Sequence, residues 1–445
     1  MIIYLPVHKT VRELDGKLFF ALKAAAKGFT VVIGRKSRVL NLLGQGPKGI
    51  FFDTRMNHSR VTVSSKNHQA ILKMGHEIWL FDEEVTTLDD EQAYAKTQIS
   101  KEVVEKASKV LAWSDFHARL VKQISPSAEV FVTGHPRYDV YDPRVRGIYN
   151  RDVRRHRKSF DKYVLISSSF GELGFGGRKA AEEKISVNRS KGFLKDEADV
   201  RFYREEAAYR SQTLEAFIVD IVQLARSHSN VNFVVRPHFT ETEEMWSAIL
   251  EPQLPNLHVV HDGPIASWIH GSIGLIHHHC STAIEAYLLG KQVVSYVPVH
   301  DPRFERFLPD AVSFTVRNFD GLSQSVAALH NEERLVDYAA VAQKISEYIN
   351  HGGKLASDQI LELLEARETK KPHSSSEKSQ ETGLPKLGGG RLVRQLSRLF
   401  DWLAKDEISQ RLVRRKCREM VRQDSSLRGV VARRVGREVF VVSSR

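Results

Sequence analysis

Cysteine is almost absent from this chain. Only Cys280 and Cys417 occur in 445 residues. Two thiols exclude a disulfide framework, and a reducing compartment is the simpler expectation. Long apolar runs are missing too: none approaches the ~20 residues that a membrane span needs. The opening MIIYLPVHKT has no basic region followed by an apolar signal core, so it reads as a first strand and loop. A cytoplasmic protein is expected. No GxGxxG opens the first strand-to-helix turn, which argues against a single dinucleotide-binding dehydrogenase. No metal-bridging Asp-x-Asp stands out, so no metal ligands are assigned and a metal-independent protein without a cofactor is expected.

The charge is uneven. The formal net charge is +12, and residues 391–445 hold fifteen Lys/Arg against six Asp/Glu, or +9 of that total. The remaining body is nearly balanced, which excludes a protein whose whole surface binds nucleic acid. No nucleic-acid partner is expected.

Short apolar segments alternate with segments of helical period. MIIYLP, FTVVIG, GIFFDT, EIWLFD, KVLAWS and AEVFVTGHP read as strands, with helices such as ELDGKLFFALKAAAKG between them. The alternation restarts at YVLISSS and continues through NVNFVVRPH, LHVVHDG, IGLIHHH and QVVSYVP. This pattern predicts an α/β protein with two Rossmann-like domains in a glycosyltransferase B arrangement, plus a basic helical C-terminal tail. The expected boundaries are 1–155 for a first domain that takes the acceptor and 156–370 for a second that takes the nucleotide sugar. The charged stretch 145–160 is read as a joint and 170–205 as a long loop or partly helical insertion. Residues 371–390 read as a polar linker and 391–445 as the basic helical tail. The tail admits three readings: a helix docked on its own protein, a peripheral anchor on an anionic inner membrane, or a nucleic-acid contact.

Polar residues gather where strands end. HHHCST places His277, His278, His279 and Cys280 before Ser281 and Thr282. Adjacent strand residues point to opposite faces, so three histidines cannot converge on one metal. Thr282 and Glu285 have capping-box spacing. A helix starting there offers Ser281, Thr282 and a donor from His279 or His277 to a phosphate. Arg236 and His238, after the strand NFVV, suit the same anion. Ser168 and Ser169 follow the first strand of the second half, where a donor can approach the backbone. His135 and Arg137 in TGHPRYD either line a cleft or fix a hinge. Asp82, Glu83 and Glu84 follow EIWLF, and one of these acids has the character of a general base. Glu83 or Glu84 is preferred over Asp82. Trp246 and Trp268 either stack on a base or pack in the core.

GIFFD, KMGHEIWLFDEE, TGHPRYD, RPH…EEMW and WIHGSIGLIHHHCSTAIEAYLLGKQVVSYVP together resemble the bacterial surface carbohydrate biosynthesis family, over residues 1–350. The resemblance implies a glycosyltransferase B enzyme of lipopolysaccharide, capsule or related glycan assembly. A weaker similarity runs to sialyl- and Kdo-transferases that use CMP-activated sugars. It would make the acids at 82–84 the catalytic base motif and Ser281-Thr282 the phosphate-side pair. Valine at 85 and the order Arg236-Pro237-His238 depart from that pattern. The implied activity is transfer from a nucleotide-sugar donor to a hydroxyl of a glycan or lipid-linked acceptor. The competing readings are a UDP-sugar 2-epimerase and a noncatalytic glycan-assembly or binding protein.

Overall fold

The apolar runs form short, buried strands, and helices shield them from water. In this computed structural model the described residues are 1–56, 61–83, 91–190, 194, 196–238, 240–250, 254–350, 353–369 and 408–444. They divide into two compact units. The first comprises Met1–Val85, Asp90–Ile148 and Ser346–Arg445; the second comprises Thr86–Asp89 and Tyr149–Ile345. Both are parallel-sheet α/β units of Rossmann type.

The first unit begins with β1 (Ile2–Val7), β2 (Thr30–Arg35), β3 (Ile50–Asp53), β4 (Glu77–Leu80), β5 (Lys109–Ala112) and β6 (Val130–Val132). All six pair in parallel. The helix Thr10–Ala26 shows how local chemistry sets an element. Leu14, Leu18, Phe19 and Leu22 bury its apolar face, each contributing roughly 1.5–3 kcal/mol. No side chain at Lys9 caps its start. The carboxylate of Glu13 instead accepts the His8 and Lys9 amides at 2.8 and 3.0 Å. Gly28 ends the helix with φ +87°, and its amide reaches the Ala25 carbonyl at 3.0 Å, a left-handed stop that costs a glycine little.

The second unit carries β7 (Tyr163–Ser167), β8 (Asn232–Arg236), β9 (Leu257–Val259), β10 (Gly274–His277), β11 (Gln292–Tyr296) and β12 (Phe314–Val316). These strands are also parallel, in the order β12-β11-β10-β7-β8-β9. Val164, Ile166, Phe217, Phe233, Val235, Trp246 and Ile276 belong to one buried core against this sheet.

Several expectations need correction. The charged stretch read as a joint contains the boundary between the units, and its larger part is the helix Asn150–Phe160. The segment read as a loop or insertion forms Gly171–Ser190, kinked at Gly177, and the 31-residue helix Glu197–Ser227. The first boundary falls at 148/149, and the chain returns to the first unit at Ser346. Residues 346–369 therefore leave the expected second domain. Their anchor is Asp139, whose carboxylate accepts the Ala356 and Ser357 amides, each at 2.8 Å, at the start of the helix Ala356–Thr369.

The tail is corrected most. Residues 371–390 and 391–407 lie outside the described residues. Beyond them stand the helix Gln410–Gln423 and an antiparallel hairpin, β13 (Val430–Gly436) and β14 (Val439–Ser444). β14 pairs antiparallel with β2, so the first sheet runs β13-β14-β2-β1-β3-β4-β5-β6. Gly34 permits this approach: a Cβ there would lie 2.3 Å from the Glu438 carbonyl. Lys416, 1% exposed, reaches Asp15 at 3.0 Å. The described tail is thus part helix and part sheet, and built into the first unit.

Removing residues 408–445 would uncover the partners of seven buried apolar side chains: Ile408, Val413, Met420, Leu427, Val439, Phe440 and Val442. At ~1.5–3 kcal/mol each, the upper-bound loss is of the order of a domain's whole stability. The shortened chain is expected to lose its first cooperative unfolding transition in urea and to aggregate. An unchanged midpoint by circular dichroism would show that the hairpin adds no stability.

Candidate functional site

In the second sheet β7 is central. Strand succession runs outward through β8 and β9 on one side and through β10, β11 and β12 on the other. The reversal lies between β7 and β10. Ligands of open α/β sheets bind outside the carboxyl ends of the strands at such a switch point. There Ser167 is in register with His277 on one side and Arg236 on the other. The loops after β7, β8 and β10 thus bring Ser168, Ser169, Arg236, His238, His279, Ser281 and Thr282 to one edge of the sheet.

The three histidines diverge, as strand alternation requires. His277 Nε2 meets Ser313 Oγ at 2.8 Å, and its Nδ1 accepts the Cys280 amide. His278 lies flat against Phe170 and faces the Tyr296 carbonyl at 3.1 Å. His279 has φ +45° and turns its Nδ1 to Asp310 at 2.9 Å. Burial drives the pKa of His277 down to about 4 and that of His278 well below the usual imidazole range. Cys280 is packed, with Sγ 3.5 Å from Ser167 Oγ. Of the three, His279 meets a pair of acids: ligand atoms of His279, Glu305 and Asp310 lie within 4.8 Å of one another.

The two serines hold loops together. Ser169 donates to the His278 carbonyl at 2.7 Å. Ser168 donates to Glu241 and accepts the His238 amide at 3.0 Å. Glu241, 1% exposed, is the residue that sequence reasoning missed. It also accepts the Gly171 amide at 2.7 Å, the His238 amide at 3.2 Å and Trp246 Nε1–H at 2.8 Å. In HFTETEEMW this acid stands beside the cap Thr242, which accepts the Met245 amide at 3.1 Å. It therefore read as one more charge at a helix start.

Arg236 is 5% exposed. It donates to the Val260 and Gly263 carbonyls at 2.8 and 3.0 Å and lies over Trp268. Burial draws its pKa down to about 10. Its terminal nitrogens thus support the β9 loop. His238 Nδ1 lies 2.8 Å from Thr240 Oγ1. Trp246 and Trp268, 0% and 2% exposed, are core residues.

The expected capping box does not form around Thr282. The helix spans Thr282–Leu288, its cap position is Ser281, and no side chain caps it. Thr282 already belongs to the first turn, and its Oγ1 is buried without a hydrogen-bond partner. Ser281 is half-buried and Glu285 is buried.

The first unit builds its own polar cluster at the carboxyl ends of β1, β4 and β6. Lys17 Nζ bonds the Pro6 carbonyl at 2.8 Å and Glu13 at 2.6 Å, and stands 3.0 Å from Glu83. All three charged residues are at most 5% exposed. The two carboxylates share this ammonium. Although Lys17 burial works against charge, Glu13 and Glu83 together raise its pKa. Burial opposes ionisation of Glu13 as well, but Lys17, His8 and their hydrogen bonds bring it down to about 2. His135 Nδ1 accepts the Arg137 amide at 3.0 Å, so its Nε2 carries the proton and faces Glu83 at 3.5 Å. Asp82 accepts Tyr94 O–H at 3.1 Å. Glu84 lies outside the described residues.

His135 and Arg137 are buried against the helix Thr10–Ala26. Gly16 makes the approach feasible: a Cβ there would fall 2.6 Å from the Arg137 backbone. Glu13 and Lys17 were missed because an i,i+4 pair on an amphipathic helix reads as a solvated face. The available signal was ELDGK, a charge pair inside an otherwise apolar run.

No model of a known protein family matches this chain, and no curated protein matches it in sequence. Solved structures do match. The wall teichoic acid polymerase TagF aligns with TM-score 0.52 and 8% identity, over 84% of this chain and 90% of that one. The UDP-GlcNAc 2-epimerase of Methanocaldococcus jannaschii aligns with TM-score 0.51 and 10% identity, over 82% and 99%. At such identity the likeness is one of fold. The chain has the two Rossmann-like units of the glycosyltransferase B class.

Buried neutral histidines give the protein a pH dependence. Burial takes His117 down to about 3 and His135 to about 4. The unfolded chain takes up these protons near pH 6.5, before the folded chain does, so stability is full above that pH and falls between about 6.5 and 3. His117 stacks on Trp113, and neither ring nitrogen has a hydrogen bond. The His117→Phe variant is expected to lose up to one proton of this dependence, about 1.4 kcal/mol per pH unit. Urea unfolding at pH 5 and pH 8 checks this: identical slopes in both proteins would contradict it.

Proposed function

We propose that this protein is a glycosyltransferase that moves a sugar from a nucleotide-activated donor to a hydroxyl of a bacterial surface glycan or lipid-linked acceptor. The observation that carries this reading is the convergence of polar residues at the β7/β10 switch point. The fold shared with a wall teichoic acid polymerase and a UDP-GlcNAc 2-epimerase supports a nucleotide-sugar enzyme.

In this reading the second unit binds the donor. His238, Ser281 and the unpartnered Thr282 hydroxyl hold the departing phosphate charge, while Glu241, Ser168, Ser169 and Arg236 keep the loops in place. Glu83 is the base. Lys17 stands 3.0 Å from its carboxylate and is shared with Glu13, and Glu83 accepts a proton from the acceptor hydroxyl. CMP-linked acidic sugars are the first donors to try.

A panel of CMP-, UDP- and GDP-sugars, read by nucleotide release with and without membrane extract, tests the reading. Acceptor-dependent release is expected with one donor. Glu83→Gln is expected to lower kcat at least 100-fold with donor affinity retained, and Thr282→Val to weaken donor binding. Donor turnover without any acceptor would instead identify an epimerase, and no turnover with any donor would reject an enzyme of this class.

We also propose that the tail contacts an anionic membrane surface. No helix among the described residues is long and apolar enough to cross a membrane. On the helix Gln410–Gln423, Arg411, Arg414, Arg418 and Arg422 are exposed at helical spacing, while Val413 and Met420 face inward. Each such arginine adds about 1 kcal/mol near an anionic leaflet. Replacing all four by Gln is expected to abolish sedimentation with phosphatidylglycerol vesicles in 0.1 M salt. Equal recovery of both proteins would reject the contact.

A further inference from the structure

The histidines after β10 are linked by a hydrogen-bond chain that fixes where each proton sits. His278 Nδ1 lies 3.1 Å from the Tyr296 carbonyl. A carbonyl only accepts, so Nδ1 carries hydrogen. The ring is buried flat on Phe170 with no carboxylate against it, and stays neutral. Its Nε2 is therefore a lone pair, 3.3 Å from the Tyr209 hydroxyl, and Tyr209 donates its single proton there. The same hydroxyl is 3.3 Å from His279 Nε2. With its proton committed, Tyr209 accepts, so His279 Nε2 carries hydrogen. His279 Nδ1 is then the ring nitrogen left to face Asp310.

That nitrogen faces two acids. Asp310 oxygens lie 3.1 and 2.9 Å from it, and the Glu305 carboxylate completes a group of ligand atoms within 4.8 Å. Gathered this closely, an imidazole nitrogen and two carboxylates form a donor set for a divalent cation. Outer partners hold the acids: Ser295 donates to Asp310 at 2.7 Å, while His300 and Arg317 flank Glu305. Bonds of about 2.1 Å at right angles place ligand atoms about 3 Å apart, the separation seen between His279 and Asp310. Metal-bound imidazoles characteristically donate their second N–H to an outer partner, which is the part Tyr209 plays.

We propose that His279 Nδ1, Asp310 and Glu305 bind a divalent cation of the manganese type, with water filling the remaining positions. One imidazole with two carboxylates suits that ion. The site departs from the metal-free expectation raised by the sequence, because Glu305 and Asp310, the latter on the helix Phe307–Ala311, stand far along the chain from His279. It does not rest on the nucleotide-sugar reading.

The test uses the full chain, stripped with EDTA and titrated with MnCl2 without nucleotide, free Mn2+ being read by electron paramagnetic resonance. One saturable site per chain is expected. Asp310→Asn and Glu305→Gln should each weaken it at least 10-fold. Tyr209→Phe should weaken it roughly 10-fold, the usual cost of losing an outer partner. Asp301→Asn, a neighbouring half-buried acid paired with Arg303, should leave it unchanged, and near-ultraviolet circular dichroism checks that each variant is folded. Absence of a saturable site below about 1 mM would overturn the proposal and leave an imidazolium–carboxylate pair. Unchanged affinity in both the Asp310 and Glu305 variants would overturn it equally.

Discussion

Four donors converge on the carboxylate of Glu241, and no cation stands beside it among its hydrogen-bond partners. A buried anion of this kind is tolerated only because hydrogen bonds to charge, each worth roughly 1.5–3 kcal/mol, offset its lost hydration. The donors come from the loop after β7, the loop after β8 and the indole of Trp246. Glu241 therefore joins two strand ends and a helix at the edge where ligands of this fold class bind. Replacing it would take this acceptor from the Gly171 amide and the Trp246 indole N–H. The placement of Ser168 and His238 depends on that one side chain.

The first unit solves a related problem with an ion cluster. Lys17 is buried on a helix, yet it bonds a carbonyl at the end of β1 and stands between two acids. Such clusters contribute little net stability, because desolvation cancels much of the Coulomb gain. What this one contributes is position. It fixes Glu83 relative to β1 and, through His135 and Gly16, relative to the turn after β6. Both units thus hold their polar residues on strand ends by side chains that neighbouring elements bury.

Much of this was legible from sequence. Buried parallel strands are continuous apolar runs, so β1 to β11 were readable as strands, and their ends named the polar residues that gather there; β12, with Phe314 and Thr315 exposed, was not. The divergence of His277, His278 and His279 followed from strand geometry alone. Pairings over long chain separations were not legible. Glu241 and the neighbouring glutamates have the same local chemistry, and only packing turns one inward. Thr282 and Glu285 had capping spacing, but spacing does not say which residue starts a helix. The last strand, VFVVSS, carried β-branched residues, yet the arginines before it pointed to a solvated helix. Its partner β2 lies at the other end of the chain.

That pairing also orders events during synthesis. Arg35 at the end of β2 and Glu438 before β14 are 403 residues apart. At 5–20 residues per second a ribosome needs about 20–80 s to cover that distance. Throughout this interval the β2 edge, cut at Gly34 to admit a strand, has no neighbour on that side. The second unit, contiguous from Tyr149 to Ile345, is complete well before the first. The chain therefore matures from its middle outward, and an unpaired strand edge waits longest where a chaperone would have most to shield.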